Sequence, residues 1–153
     1  PNVLCVNPAV PVKTVQEYIA LAKARDGQLI YASSGNGTSQ HLSGTLLQQK
    51  TGIRLAHVPY RGGAPAIADL VGGHVPSMFI TLPAPVAHIK AGRLRAIGVT
   101  SDKRAAVLPD VPTIAESGVP GYAVTNWYGV WGPAKMPAAV AARLNQSFVR
   151  ALD

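Results

Sequence analysis

The sequence predicts an α/β fold, a doubly wound, mainly parallel sheet flanked by helices. Three observations predict it. Short apolar runs alternate with segments of helical period from Val3 to Val99. The links between them are short and marked by Gly or Pro. The 153 residues are 48% hydrophobic and only 14% charged, which is enough apolar material for one domain with a real core and excludes disorder.

The elements follow in order. Val3–Val6 reads as a strand, broken by Pro8 and Pro11. Thr14-Val15-Gln16-Glu17 is a capping box, and Val15, Tyr18, Ile19 and Ala22 follow at helical spacing until Gly27. Leu29–Ala32 is a strand, the run from Ser33 to Ser39 a loop, and a helix runs from about Ser39 to Lys50. Leu55–Val58 is a strand followed by the loop Pro59–Gly63. Pro65 suits the first turn of a helix that ends at Gly72 and Gly73. Val75–Ile80 is a strand, Pro83 and Pro85 open a short helix, and Leu94–Val99 is a strand. Tyr122–Trp131, aromatic and β-branched, also reads as a strand. Pro137 opens an amphipathic helix through Val140, Leu144, Phe148 and Val149.

The charge is +7, from 14 Lys plus Arg against 7 Asp plus Glu. The cations are scattered, with no run of five and no basic face, so a nucleic-acid partner is not expected. No apolar run approaches the roughly 18 residues of a membrane span, so no direct membrane insertion is expected. The single cysteine, Cys5, lies in an apolar run and reads as a buried, inert thiol. No metal spacing and no cofactor loop is present, so neither a metal nor a cofactor is expected. The chain starts at Pro1 with no visible leader, which reads as a piece excised from a longer protein.

In a parallel α/β sheet, ligands sit outside the carboxyl ends of the strands. Three segments reach that edge. In the first, Ser33, Ser34, Gly35, Asn36, Gly37, Thr38 and Ser39 combine hydroxyls with glycines that let the backbone approach a ligand, ahead of a helix N-terminus that favours an anion. The same pattern also describes an ordinary capped strand–helix turn. His41, one turn into that helix, is a packing residue or a ligand contact. In the second, Tyr60, Arg61, Gly62 and Gly63 precede another helix. Tyr60 can bond or pack on a ligand, and Arg61 is either a carboxylate partner or a solvated arginine. The third is the stretch Ile80–Pro83, with Thr81.

Enzyme signatures fail. Gln40 stands where a dinucleotide loop needs its third glycine, no Lys follows the glycines, and no G-x-S-x-G surrounds Ser33 or Ser34. Lys50-Thr51-Gly52 has no S-x-x-K beside it. None of the seven acids falls in the three edge segments, where a hydrolase or lyase would need a base. An edge rich in donors and poor in acids suits holding anions. An α/β enzyme on anionic substrates and a ligand-free docking module remain the competing readings.

Four stretches in order, YASSGNGTSQHLSG (31–44), HVPYRGGAPAIADLVGGHV (57–75), HIKAGRLRAIGVTSDKR (88–104) and LPDVPTIAESGVPGY (108–122), resemble the solute-binding receptors of tripartite tricarboxylate transporters, the Bug/TctC type. The resemblance implies one lobe of a type II periplasmic binding protein that is not an enzyme. It implies a periplasmic location, a small carboxylate ligand (a dicarboxylate, tricarboxylate or aromatic acid) and a membrane permease as partner. It also implies that residues 1–153 are the second lobe of two. Segments 1–12 and 119–134 then connect the lobes, and 137–153 form a terminal helix. Ile80 stands where many relatives carry an acid, which disfavours an amino-acid ligand.

Overall fold

The computed structural model describes residues 1–152. Five strands form one sheet: β1 (Asn2–Val6), β2 (Ile30–Ser33), β3 (Ala56–Pro59), β4 (Ser77–Thr81) and β5 (Arg95–Val99), in the spatial order β3-β2-β4-β1-β5. Five helices accompany them: α1 (Val15–Arg25), α2 (Ser39–Thr51), α3 (Gly63–Gly72), α4 (Val86–Lys90) and α5 (Ala138–Leu152).

Side chains alternate across the sheet, and each face has its own core. Leu4, Val6, Tyr31, Phe79 and Ile97 point to one face, where Val15, Tyr18, Ile19 and Ala22 of α1 and Leu47 of α2 cover them. Val3, Cys5, Ala32, Met78, Ile80 and Val99 point to the other, under Ala66 and Leu70 of α3 and Ile89 of α4. The sheet is therefore doubly wound, as its sequence implies. Cys5 is buried and burial raises its thiol pKa, so the thiolate is suppressed. Thr14 caps α1 by accepting the Glu17 N–H.

The strand directions differ in one respect from the prediction. β2 pairs parallel with β3 and β4, but β1 runs antiparallel to both β4 and β5. Apolar runs carry no sign of direction, so repeated β–α order alone made β1 parallel. Its reversal places Pro1 and Asn2 at the carboxyl edge: Asn2 pairs with Thr81, and Leu82 N–H donates to Pro1 O.

The predicted strand Tyr122–Trp131 is not one. Val124 N–H donates to Thr100 O, but no strand lies alongside, and high β-propensity forms no ladder without a partner. Beyond Asn126 the chain leaves the core. Trp127, Tyr128, Val130 and Trp131 are exposed, and α5 contains no buried residue. Of the segment 137–153, α5 covers Ala138–Leu152; Asp153 lies outside the described residues.

Candidate functional site

The carboxyl edge of β2 and β4 carries the first loop. Thr38 closes it as the N-cap of α2: its hydroxyl accepts the His41 N–H at 3.3 Å and donates to Gly35 O at 2.8 Å. Most of the loop's amides are used internally. Ser34 N–H donates to Gln40 Oε1 at 2.8 Å, Gly35 N–H to Ser33 Oγ at 3.1 Å, and Gly37 N–H to His41 Nδ1 at 3.0 Å. The amides of Ser39 and Gln40, in the first turn of α2, have no intrahelical acceptor. They form an anion-favouring end.

Ser33 is fully buried, and its Oγ lies 2.7 Å from His57 Nε2. His57 stacks on His41 at 4.2 Å between ring centroids and on Tyr31 at 4.9 Å. Burial, and then the neighbouring His41, hold the His57 pKa below its ordinary value. Ser33 and His41 thus build the loop from behind.

A chain of polar side chains fixes the loop to the sheet. Gln40 Nε2 donates to Thr81 Oγ1 at 3.2 Å, and Thr81 Oγ1 donates to Asn2 Oδ1 at 2.8 Å. Asn2 Nδ2 donates to Ser43 Oγ at 3.1 Å and Ser39 Oγ at 3.3 Å. Asn126 Nδ2 donates to Asn2 Oδ1 at 3.1 Å. Asn2 has no exposed surface. Tyr122 ties the same region together by donating to Ser43 O at 2.9 Å. Thr81 is where the sequence placed it, but its one proton goes to Asn2. Ile80 faces the core under α3 and α4, so it does not bear on the ligand; side-chain alternation from Thr81 explains why.

The second loop is built differently. Tyr60 N–H donates to Ser33 O and Gly62 N–H to Ser34 O, which docks this loop on the first. Gly62, at φ 114°, is the N-cap of α3 and has no side chain to cap with. Tyr60 Oη donates to Asp69 Oδ2 at 2.6 Å, and that bond pushes its pKa up to about 12. Asp69 is an acid that the sequence placed away from the edge. Arg61 is exposed, and the amide of Gly63 opens α3. The Tyr60 hydroxyl is therefore committed within the lobe.

Gly37, Ser39, Leu42, Thr81, Val124, Thr125, Asn126, Trp127 and Tyr128 line a groove of about 380 Å³ at this edge. None of the lining residues is charged. Ser33, Ser34, Gly35, Asn36, Thr38 and His41 flank or support it, whereas Tyr60, Arg61, Gly62 and Gly63 do not line it. Sequence reasoning missed Asn2, Gln40, Ser43, His57, Asn126 and Trp127.

From residue 1 to residue 153 the chain matches the profile of a family described as "Tripartite tricarboxylate transporter family receptor". The chain belongs to that receptor family. It is 36% identical to Protein BugT of Bordetella pertussis over 153 residues, 100% of this chain and 47% of BugT. Several solved structures are similar. Rpa4515 of R. palustris, with adipate, has a TM-score of 0.90 at 39% identity over 95% of this chain and 49% of its own. MatC of Rhodopseudomonas palustris, with bound malate, has a TM-score of 0.93 at 31% identity over 100% and 52%. The periplasmic binding protein BugD has a TM-score of 0.88 at 34% identity over 95% and 49%. The chain spans about half the length of the curated relatives it matches.

Tripartite tricarboxylate transporter receptors are solute-binding proteins of the periplasm, not enzymes, and the Ser33–His57 pair fits that. Its serine is buried, already accepts the Gly35 N–H and cannot reach a substrate. No helix of the described residues is long and apolar enough to cross a membrane.

Proposed function

We propose that this chain is the second lobe of a periplasmic solute receptor that grips a small carboxylate and delivers it to a tripartite tricarboxylate transporter permease. The observation that carries the reading is the groove at the capped start of α2, where unpaired first-turn amides and the Ser39 hydroxyl meet walls with no charged side chain. A carboxylate there accepts donors and meets no acid. Each helix-terminus charge interaction is worth roughly 0.3–1 kcal/mol when exposed, and more when water is excluded. Relatives with adipate and with malate support the ligand class.

On this reading segments 1–12 and 119–134 connect the two lobes. Asn126 lines the groove and donates to Asn2 beneath it, which suits that role. A second lobe closing on the groove supplies the desolvation that one lobe lacks.

The test is calorimetry of the full-length receptor carrying this lobe against adipate, malate, citrate and benzoate. Binding of at least one is expected, weakened in Thr38→Ala and Ser39→Ala. Failure of all four acids to bind overturns the proposal.

A further inference from the structure

Two backbone groups determine the direction of every hydrogen bond in the network beneath the groove. At one end, the Ser34 N–H can only donate, so the Gln40 oxygen must face it. Gln40 Nε2 then donates to Thr81 Oγ1, which leaves the single Thr81 proton for Asn2 Oδ1. At the other end, Ser39 O can only accept, and it takes the Ser43 proton at 2.7 Å. Ser43 Oγ can therefore only accept from Asn2, so the Asn2 nitrogen must face α2. Both ends dictate the same orientation of the Asn2 amide. Asn126 conforms to it, donating to Asn2 Oδ1 even though its own Oδ1 is then buried without a partner.

The consequence falls on Ser39. Asn2 Nδ2 donates to Ser39 Oγ, so the serine proton cannot point inward. That proton has no acceptor among the described residues, and Ser39 lines the groove. We infer that Asn2 is a positioning residue for ligand binding: it orients the Ser39 hydroxyl as an outward donor to a ligand carboxylate beside the first-turn amides of α2. Asn2 touches no ligand itself. It is fully buried and acts through Ser39. This inference rests on the proposed carboxylate function of the groove.

Asn2→Asp is the sharp test because it keeps the shape and reverses the polarity. The ionised carboxylate of this variant accepts where the Asn2 amide donated, so the Ser39 proton turns inward and a negative charge lies behind the groove. In the full-length receptor, titrated with whichever of adipate, malate, citrate and benzoate binds wild type most tightly, affinity at about pH 8 should fall about tenfold or more. Lowering the pH to about 5 protonates part of the new carboxyl group and restores a donor. The ratio of wild-type to variant affinity should then shrink. A purely structural role for Asn2 would lower the melting temperature without this pH-dependent recovery.

Ser39→Ala and Ser39→Thr form a second arm that does not depend on the folding of Asn2→Asp. The alanine should weaken binding several-fold, and the threonine, which keeps the hydroxyl, should largely preserve it. A folded Asn2→Asp protein with wild-type affinity at about pH 8, a loss that does not change with pH, or unchanged binding in Ser39→Ala would overturn the assignment of Asn2 while leaving the carboxylate function standing. If none of the four acids binds wild type, both fall together.

Discussion

The loops after β2 and β3 look alike in sequence and differ in how they are held. Each joins a parallel strand to a helix N-terminus through glycines at the same sheet edge. The first is capped by the Thr38 side chain and wired through Gln40, Thr81 and Asn2 into the sheet. The second starts α3 from Gly62 with no side-chain cap, sends its tyrosine to Asp69 and leaves Arg61 exposed. Topology explains the contrast. β2 is paired on both sides, so its loop lies beside β4 and within reach of β1, while β3 is an edge strand with one neighbour. On the proposed function, a glycine loop before a helix becomes a binding element when buried neighbours fix its donors.

The largest effect on the first loop is expected at Gly44. A Cβ there would lie 2.3 Å from the Tyr31 ring, so α2 reaches β2 only with glycine at this position. Gly44→Ala should cost about 1–3 kcal/mol of stability in a urea titration, as overpacking does, and disturb the first loop. An unchanged midpoint would mean that α2 is not pressed on β2. Next comes the cap. Thr38→Ala should cost about 1 kcal/mol and weaken carboxylate binding, whereas Arg61→Ala should stay within about 0.5 kcal/mol and leave binding unaltered. Equal effects from the two would erase the distinction between the loops.

A smaller change is expected from Tyr60→Phe. It should lose about 0.5–1.5 kcal/mol with the Asp69 bond and keep wild-type affinity, since the hydroxyl is committed within the lobe. A large loss of affinity would make the second loop an equal partner.

The smallest effect concerns protons. The His57 pKa is lowered in the folded lobe, so below the ordinary value of about 6.5 the unfolded chain binds more protons than the native one. Stability therefore rises with pH in that window and declines on acidification. The melting temperature should drop between about pH 7.5 and about pH 5.5, and His57→Gln should reduce the drop. An identical drop in the variant would mean that other groups set the acid sensitivity.

Much of the fold was legible because helices announce themselves locally. The Thr14–Glu17 box, the apolar spacing of α1 and the glycines after α2 and α3 each sit within a few residues. The first loop was legible for the same reason, with Thr38 or Ser39 as the possible cap; the structure makes it Thr38. Three things were not. The direction of β1 depends on where the chain enters the sheet, which no local pattern encodes. Tyr122–Trp131 has strand composition without a strand partner. The side-chain bonds of Asn2 under the groove join residues 37 to 124 positions apart, so Asn2 and Asn126 look like any other asparagines until the sheet brings them together.

The contact between Asn2 and Asn126 has a mechanical consequence. The segment after Tyr122 is fastened at Val124 and Asn126, and beyond that point Trp127, Tyr128, Val130 and Trp131 stand clear of the core. Trp127 and Tyr128 are the first residues past that pin, and they line the same groove as Ser39, so the groove is walled partly by the core and partly by the arm that departs from it.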